Sequence, residues 1–151
     1  LAKPQSYMNK SGLPIAEIIR FYKIDLNDVF VFHDDLDLTR GKLRVKAGGG
    51  HGGHNGLRDI DRHIGTDYWR VRIGIGRPLN EAMEVKTWVL KDFDLNEQAG
   101  WLARLLDGIV EEAGRLCNHD YGGFMNRVCH RAPPSSIESL DNKPLKPNRK
   151  T

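Results

Sequence analysis

Apolar residues recur along the chain with two periods, and each period predicts a different kind of element. Spacings of three and four residues predict helices over residues 13–22, 55–64, 96–118 and 124–130. Alternation or short apolar runs predict strands over residues 29–33, 43–46, 69–75 and 86–90. The uninterrupted run at 29–33 is typical of a buried strand, and Asn55 is a candidate N-cap for the second helix. Alternating helices and strands predict an α/β fold whose sheet is covered by helices.

The C-terminal segment differs in composition from the rest of the chain. Four of the seven prolines lie in residues 132–151, which offer few apolar groups to offset the entropy of ordering, so we expect a disordered tail after one domain over residues 1–131. The formal net charge is +3, and residues 131–151 alone account for it. The body is therefore neutral, and it could bind nucleic acid only through a local basic patch. The basic tail is expected to be a solvated end, although it could add weak attraction to RNA.

Length and composition narrow the class of protein. The chain has 151 residues, the scale of one domain, and no apolar run approaches the roughly 20 residues of a membrane helix. Two cysteines, Cys117 and Cys129, are too few for a disulfide framework or a four-cysteine zinc site, so a cytoplasmic location is expected. The chain begins with Leu and shows no signal peptide, and we expect it to be a fragment, a processed chain or an incomplete gene model.

The middle of the chain is dense in glycine. Residues 41–76 hold ten of the sixteen glycines, and residues 48–56 read GGGHGGHNG. Glycine is entropically costly, so such a run indicates close approach of backbone to a ligand or a sharply turning loop. Because the run leads into a predicted helix N-terminus, a phosphate or a developing oxyanion could bind there. The P-loop pattern is absent, and the dinucleotide-binding pattern is poor because its usual acidic residue is missing. A plain flexible surface loop is an alternative.

Acidic residues follow the first predicted strand. Alternation turns Asp34 to a different side from His33 and Asp35, and ligands in open α/β sheets bind beyond the carboxyl ends of strands. A carboxylate there could hold a histidine in one tautomer and stabilise its charged form. A strand-end turn with solvated acids is equally compatible with this segment.

A metal site is a competing interpretation of the same region. His51 and His54 stand three residues apart, and Asp34, Asp35 and Asp37 could complete a His/carboxylate site. The spacing is weak as a signature, because the intervening glycines do not position ligands rigidly. We therefore expect no metal, and this interpretation serves as a minor alternative.

Several motifs together resemble bacterial peptidyl-tRNA hydrolase. They are KPQSYMNKSG at 3–12, HDDLDL at 33–38, Gly41, the stretch from Lys46 to Leu57, and RVRIGIGRP at 70–78. They agree with the family in order and spacing over about residues 1–130. The resemblance implies a single globule with a mixed central sheet covered by helices, and cleavage of the ester between a peptide and the 3′ ribose of tRNA in translation. It also implies no cofactor, a monomer, and peptidyl-tRNA as partner with no membrane attachment.

The resemblance assigns catalytic roles to three residues. Asp34 matches the acid that orients and stabilises the family's catalytic histidine. Asn9 matches the amide that holds the peptide carbonyl and the catalytic water, and Asn55 matches a second amide near the ester.

The resemblance assigns substrate binding to further residues. Tyr7 matches an aromatic position that is grouped with the two asparagines, and His54 matches a histidine that contacts the substrate. Lys46 and Arg72 match basic positions that resemble a clamp on the terminal phosphate of tRNA. Such a clamp would be the local patch that a neutral body needs.

The N-terminal motifs of the family have no counterpart in these residues. The family opens with a strand, an Asn-Pro-Gly turn, and Thr-Arg-His-Asn carrying the catalytic histidine. The chain is therefore expected to be an N-terminally truncated copy whose first strands are missing. The alternative function is a catalytically dead fragment that binds tRNA.

Overall fold

The computed structural model describes residues 1–78, 80 and 82–134. Within it the chain divides into two compact units. The first comprises residues 1–33 and 45–71, and the second comprises residues 34–44 and the chain from residue 72 onward. Most of the predicted tail over residues 132–151 lies outside the described residues, so the tail and the single domain over residues 1–131 stay predictions.

Three strands form a mixed sheet in the order β1–β3–β2. The strands are β1 at Phe30–Asp35, β2 at Leu43–Ala47 and β3 at Trp69–Gly74. β1 and β3 are parallel, because the amides of Trp69 and Ile75 donate to the carbonyls of Val29 and Asp35 at the same offset of forty residues. The predicted α/β class with a mixed sheet is confirmed.

Strand β2 runs antiparallel to β3. The Gly48 amide donates to the Tyr68 carbonyl at one end, and the Gly74 amide donates to the Lys42 carbonyl at the other. The sequence numbers of these partners run in opposite directions, as an antiparallel ladder requires. The strand predicted over residues 43–46 is confirmed as β2, in which Leu43 is buried and its neighbour Arg44 is exposed.

The prediction that the first strand is buried is wrong. β1 lies at one end of the three-strand order, and its residues are half-buried, with Phe32 39% exposed. An apolar run identifies a strand but does not show how many neighbours the strand has. The central strand is β3, where Val71 is fully buried.

Helices of the first unit pack on the apolar side chains of its strands. The elements are a 3₁₀ turn at Met8–Lys10, α1 at Gly12–Tyr22, a 3₁₀ turn at Leu26–Asp28, and α2 at Asn55–Ile64. The core is formed by Leu57, Ile60 and Tyr68, against which Ile15, Val29, Val31 and Ile64 pack. The apolar face predicted for α2 is therefore its buried face.

The second unit is mainly helical. Its helices are α3 at Val85–Leu90, α4 at Leu95–Glu97, a π turn at Gln98–Leu102, α5 at Ala103–Glu112, α6 at Gly114–Cys117 and α7 at Tyr121–Arg131. Its most deeply buried apolar side chains include Trp101, Leu105, Leu116, Phe124 and Val128. In the described part of the chain, no helix is long and apolar enough to cross a membrane.

Two predictions in this unit are corrected. The segment predicted as a strand at 86–90 is helix α3, and its Trp88 indole donates to the Gly76 carbonyl at 2.9 Å. Five residues are too few for periodicity to separate a helix from a strand. The long helix predicted at 96–118 is interrupted, because Gly100 adopts non-helical angles (φ −100°, ψ −111°) and a second break falls at Ala113.

An ion-pair network joins α5, α6 and α7. Arg115 donates to Glu112 and to Asp120 at 2.7 Å each. The pKa of Asp120 is lowered, first by the Gly123 amide and then by Arg115, because both stabilise the carboxylate. Asp120 thereby caps the N-terminus of α7.

A glycine in the central strand admits no side chain. At Gly74, a Cβ atom would overlap the Thr39 carbonyl oxygen, so Gly74→Ala requires a shift of backbone. We expect this change to lower the free energy of unfolding by about 1–3 kcal/mol. Urea denaturation measures it. The matched change Gly122→Ala in α7, where a Cβ meets no described atom within 4 Å, should leave stability unchanged or slightly raised; equal losses in the two variants would contradict the packing argument.

Candidate active site

Asn9 lies in a short turn that packs against the start of α2. The turn is Met8–Lys10, and a Cβ at Gly56 would lie 2.9 Å from the Met8 sulfur, so the Met8 side chain packs closely on the backbone of Gly56. Asn9 follows Met8 and Asn55 precedes Gly56. The fold of the first unit therefore brings together the segments that carry the two predicted amides.

A carboxylate of α2 also binds the backbone just after this turn. Asp59 accepts the amide of Gly12, the first residue of α1, at 2.7 Å. Gly12 is buried, and a Cβ there would overlap the Asp59 carbonyl and the His63 ring. The start of α1 is thereby fixed on α2, and with it the turn that carries Asn9. Tyr7, just before the turn, is 80% exposed.

His54, and not Asn55, caps helix α2. Its Nδ1 accepts the amides of Gly56 at 3.1 Å and Leu57 at 3.2 Å, so the prediction of Asn55 as the N-cap is wrong by one residue. Because the ring nitrogen does the capping, Asn55 becomes the first helical residue, and its side chain is exposed. An acceptor Nδ1 carries no proton, so the neutral ring has its proton on Nε2.

His33 belongs to the site region and was not assigned a role from the sequence. Its ring packs edge-to-face against the His54 ring, with 5.4 Å between centroids. The signal available in the sequence was its place in β1, on the same face as Val29 and Val31, which α2 covers. His33 therefore supports the ring that caps α2.

The glycine run forms the turning loop that the sequence predicts. Gly48, Gly49, Gly52 and Gly53 all have positive φ, between 55° and 106°, which side chains other than glycine's rarely allow. His51 organises the loop, because its Nδ1 accepts the Gly53 amide at 3.1 Å and its carbonyl accepts the His54 amide at 2.8 Å. The loop thus delivers His54 and Asn55 to the start of α2.

Lys46 stands beside this loop. It is exposed near the end of β2, and a Cβ at Gly49 would lie 3.2 Å from its Nζ. The ammonium group therefore lies over loop backbone at the edge of the first unit. An exposed ammonium group in this position can bind a phosphate.

Asp34 and Arg72 belong to the second unit. Asp34 is half-buried near the end of β1, and regular alternation places it on the face opposite to its neighbours His33 and Asp35. Arg72 donates through Nε to Asp35 at 2.8 Å, and its side chain is 29% exposed. Asp35 thus holds the Arg72 guanidinium in place and offsets part of its charge.

The metal interpretation has no ligand set in the described residues. No group of three or more His, Cys, Asp or Glu side chains that could hold a metal ion occurs there. Two of the carboxylates it requires are bound to arginines instead, Asp35 to Arg72 and Asp37 to Arg77. His51 directs its Nδ1 to the loop backbone.

Comparison with known proteins identifies the family of the chain. A family model described as peptidyl-tRNA hydrolase matches residues 1–135. The chain belongs to the peptidyl-tRNA hydrolase family.

Individual members of the family are similar over most of the chain. A peptidyl-tRNA hydrolase of Dinoroseobacter shibae is 48% identical over 151 residues, which are 100% of this chain and 63% of the relative. One of a Ruegeria species is 49% identical over 152 residues, covering 100% of this chain and 60% of the relative. The crystal structure of peptidyl-tRNA hydrolase from Acinetobacter baumannii has a TM-score of 0.67 at 39% identity, covering 83% of this chain and 63% of that one. The chain thus spans less than two thirds of the curated peptidyl-tRNA hydrolases just named.

The capping role of His54 in this family member can be tested by two substitutions. His54→Ala removes the acceptor of two helix amides and should lower the free energy of unfolding by about 0.5–2 kcal/mol. His54→Asn supplies another good N-cap and should retain most of the stability. Urea denaturation compares the two, and an alanine variant as stable as the parent would show that the ring does not cap α2.

Proposed function

We propose that the protein hydrolyses the ester bond of peptidyl-tRNA, releasing peptide and free tRNA in translation quality control. The observation that carries the proposal is the pairing of two segments, the turn with Asn9 and the start of α2 with Asn55, in a member of the peptidyl-tRNA hydrolase family. Two amide side chains next to a helix N-terminus suit an ester carbonyl on which negative charge develops.

The proposed roles follow from ester chemistry. Asn9 and Asn55 would align the ester carbonyl and stabilise the charge that forms on its oxygen as water attacks. Asp34 would orient a histidine that takes the proton from that water. By the family resemblance, this histidine lies in a Thr-Arg-His-Asn motif, which does not occur in the 151 residues. The chemistry is therefore tested both in this chain and in a form that carries the motif.

His54 and Tyr7 would bind the substrate and would take no part in proton transfer. The Nδ1 of His54 accepts two amides of α2, which holds the ring at the start of that helix, next to Asn55. Tyr7 is 80% exposed beside the Asn9 turn, where a ring can cover a nucleotide or a peptide side chain.

The catalytic proposal predicts a separation of rate from binding. In a fusion of this chain to the N-terminal segment of the Dinoroseobacter shibae relative, Asp34→Asn should lower the rate of peptidyl-tRNA hydrolysis about 10²–10⁴-fold. Asn9→Ala should lower it about 10²–10³-fold, as loss of an oxyanion donor does. Single-turnover hydrolysis and tRNA binding by filter retention measure the two quantities.

The outcomes of this experiment separate the two candidate functions. Slow hydrolysis with unchanged tRNA binding in the Asp34→Asn fusion supports the esterase. Equal rates in variant and parent would remove Asp34 from the mechanism, and a fusion that binds tRNA without hydrolysis would favour a tRNA-binding module. Hydrolysis by the 151 residues alone would place the base among its own histidines.

We further propose that Lys46 and Arg72 contact phosphates of the tRNA. Lys46 is the more accessible of the two, since Arg72 is paired with Asp35. Lys46→Ala should weaken tRNA binding and lower the slope of log affinity against log salt by about one. Lys86→Ala, which removes one exposed charge from α3, is the matched control and should change neither. An unchanged slope in the Lys46 variant would exclude it from the phosphate contacts.

We propose that the protein is monomeric and acts in the cytoplasm. Support for a reducing compartment comes from Cys117 and Cys129, which are exposed free thiols. The monomeric state rests on the family resemblance and is measured by light scattering.

A further inference from the structure

A buried arginine lies beneath the glycine loop of the first unit. Arg70, in the central strand β3, is 3% exposed. Its Nη2 donates to Asp61 of α2 at 2.9 Å, and its guanidinium carbon lies 4.9 Å from the centre of the Tyr68 ring. Burying a charge is costly unless it is paired and hydrogen-bonded. Asp61 and the Tyr68 ring supply that compensation.

One anchor of this arginine is rigid. Tyr68 is 1% exposed, and its hydroxyl donates to the same Asp61 oxygen at 2.8 Å. Burial and the Asp61 hydrogen bond raise the pKa of Tyr68 well above its usual value, so its hydroxyl keeps its proton and remains a donor. The Asp61 carboxylate is thus held by Arg70 of strand β3 and by Tyr68, which directly precedes that strand.

The other end of Arg70 reaches the loop. Its Nη1 donates to the carbonyl of Gly50, twenty residues earlier in the chain. The loop around this point has little packing of its own, because Cβ atoms at Gly50, Gly52 and Gly53 would meet no described atom within 4 Å. A backbone with so little side-chain contact is held mainly by hydrogen bonds, and Arg70 provides one from the buried core.

Gly50 lies in the chain between Lys46 and His54, two residues proposed to bind the substrate. Lys46 lies just before the loop with its ammonium over Gly49, and His54 ends it as the cap of α2. Pairing with Asp61 balances the buried charge but occupies only one nitrogen of the guanidinium. The second contact, with Gly50, requires the planar fork of arginine, since one guanidinium can span two acceptors on different elements and an ammonium cannot match that geometry.

We propose that Arg70 is a positioning residue, which fixes the glycine loop through Gly50 so that His54 and Asn55 are held in register for the substrate ester. This inference rests on the proposed esterase function for its kinetic consequence. Its structural consequence, an ordered loop, is independent of any activity. Preorganisation of this kind matters because misplacement of a reacting group by about 1 Å can cost about 10²-fold in rate.

The test replaces the guanidinium group of Arg70 with an ammonium group, which keeps the positive charge. Arg70→Lys retains a cation for Asp61 and loses the span to Gly50. In the fusion described above, kcat should fall about 10–100-fold, with KM for peptidyl-tRNA changed less than about threefold. Amide hydrogen exchange over residues 48–54 should become faster, whereas exchange in β3 should not.

The matched control is Arg115→Lys in the second unit. Arg115 also bridges two carboxylates, Glu112 and Asp120, and neither of these partners belongs to the glycine loop. Its substitution should leave kcat and loop exchange unchanged. Equal loop exchange in Arg70→Lys and the parent would overturn the inference, as would unchanged kcat in an active fusion.

A second variant keeps the inference testable if Arg70→Lys does not fold. Asp61→Asn preserves an oxygen acceptor for Tyr68 and Arg70 but removes the charge that anchors the guanidinium. Loop exchange should rise, and unchanged loop exchange there would also overturn the proposal. If the parent fusion hydrolyses no peptidyl-tRNA, the proposed function fails, while the exchange measurement still decides whether Arg70 orders the loop.

Discussion

The contact between the start of α2 and the turn at Met8–Lys10 is the constraint on which the candidate site depends. It is made by a glycine without a side chain, Gly56 against Met8, and by the Asp59 carboxylate on the Gly12 amide. A larger residue at Gly12 would overlap the Asp59 carbonyl and force backbone to move, whereas one at Gly56 would displace the Met8 side chain. This packing sets the positions of the segments that carry Asn9 and Asn55. The proposed chemistry therefore depends on a close contact within the first unit.

The glycine loop is held by polar side chains rather than by apolar packing. Its positive φ angles favour glycine, and glycine in turn gives the loop few contacts. Two histidines of the loop and one arginine of β3 compensate for this: His51 and His54 accept backbone amides, and Arg70 donates to a backbone carbonyl. Polar side chains around the loop thus serve its conformation as well as any ligand.

Much of the fold could be predicted from periodicity, and the failures have physical causes. Helix α2 was predicted with its observed bounds, because its apolar face is regular and a loop of glycines precedes it. The cap was assigned to Asn55 because asparagine is a common N-cap, whereas capping by a histidine ring leaves no clear pattern in sequence. The segment at 86–90 was too short to classify, and the break at Gly100 depends on backbone angles that composition does not determine.

The candidate site was less accessible to sequence reasoning than the fold. The glycine loop was predicted from composition, but the roles of Asp34, Asn9 and Asn55 came from resemblance to the family and not from spacing. Arg70 lies in a segment whose alternation predicts a strand, but alternation does not show that a charge is buried and paired. Pairs between elements, such as Arg70 of β3 with Asp61 of α2, become visible only in the folded structure.

The capping of α2 by a histidine ring has a consequence for protein engineering at this end of the helix. The Nδ1 atom of His54 accepts two backbone amides of α2, so the ring holds the helix start in place. A change made at His54 in order to alter ligand contacts would therefore also alter the stability of the helix. Effects on folding and effects on recognition at this position have to be measured separately.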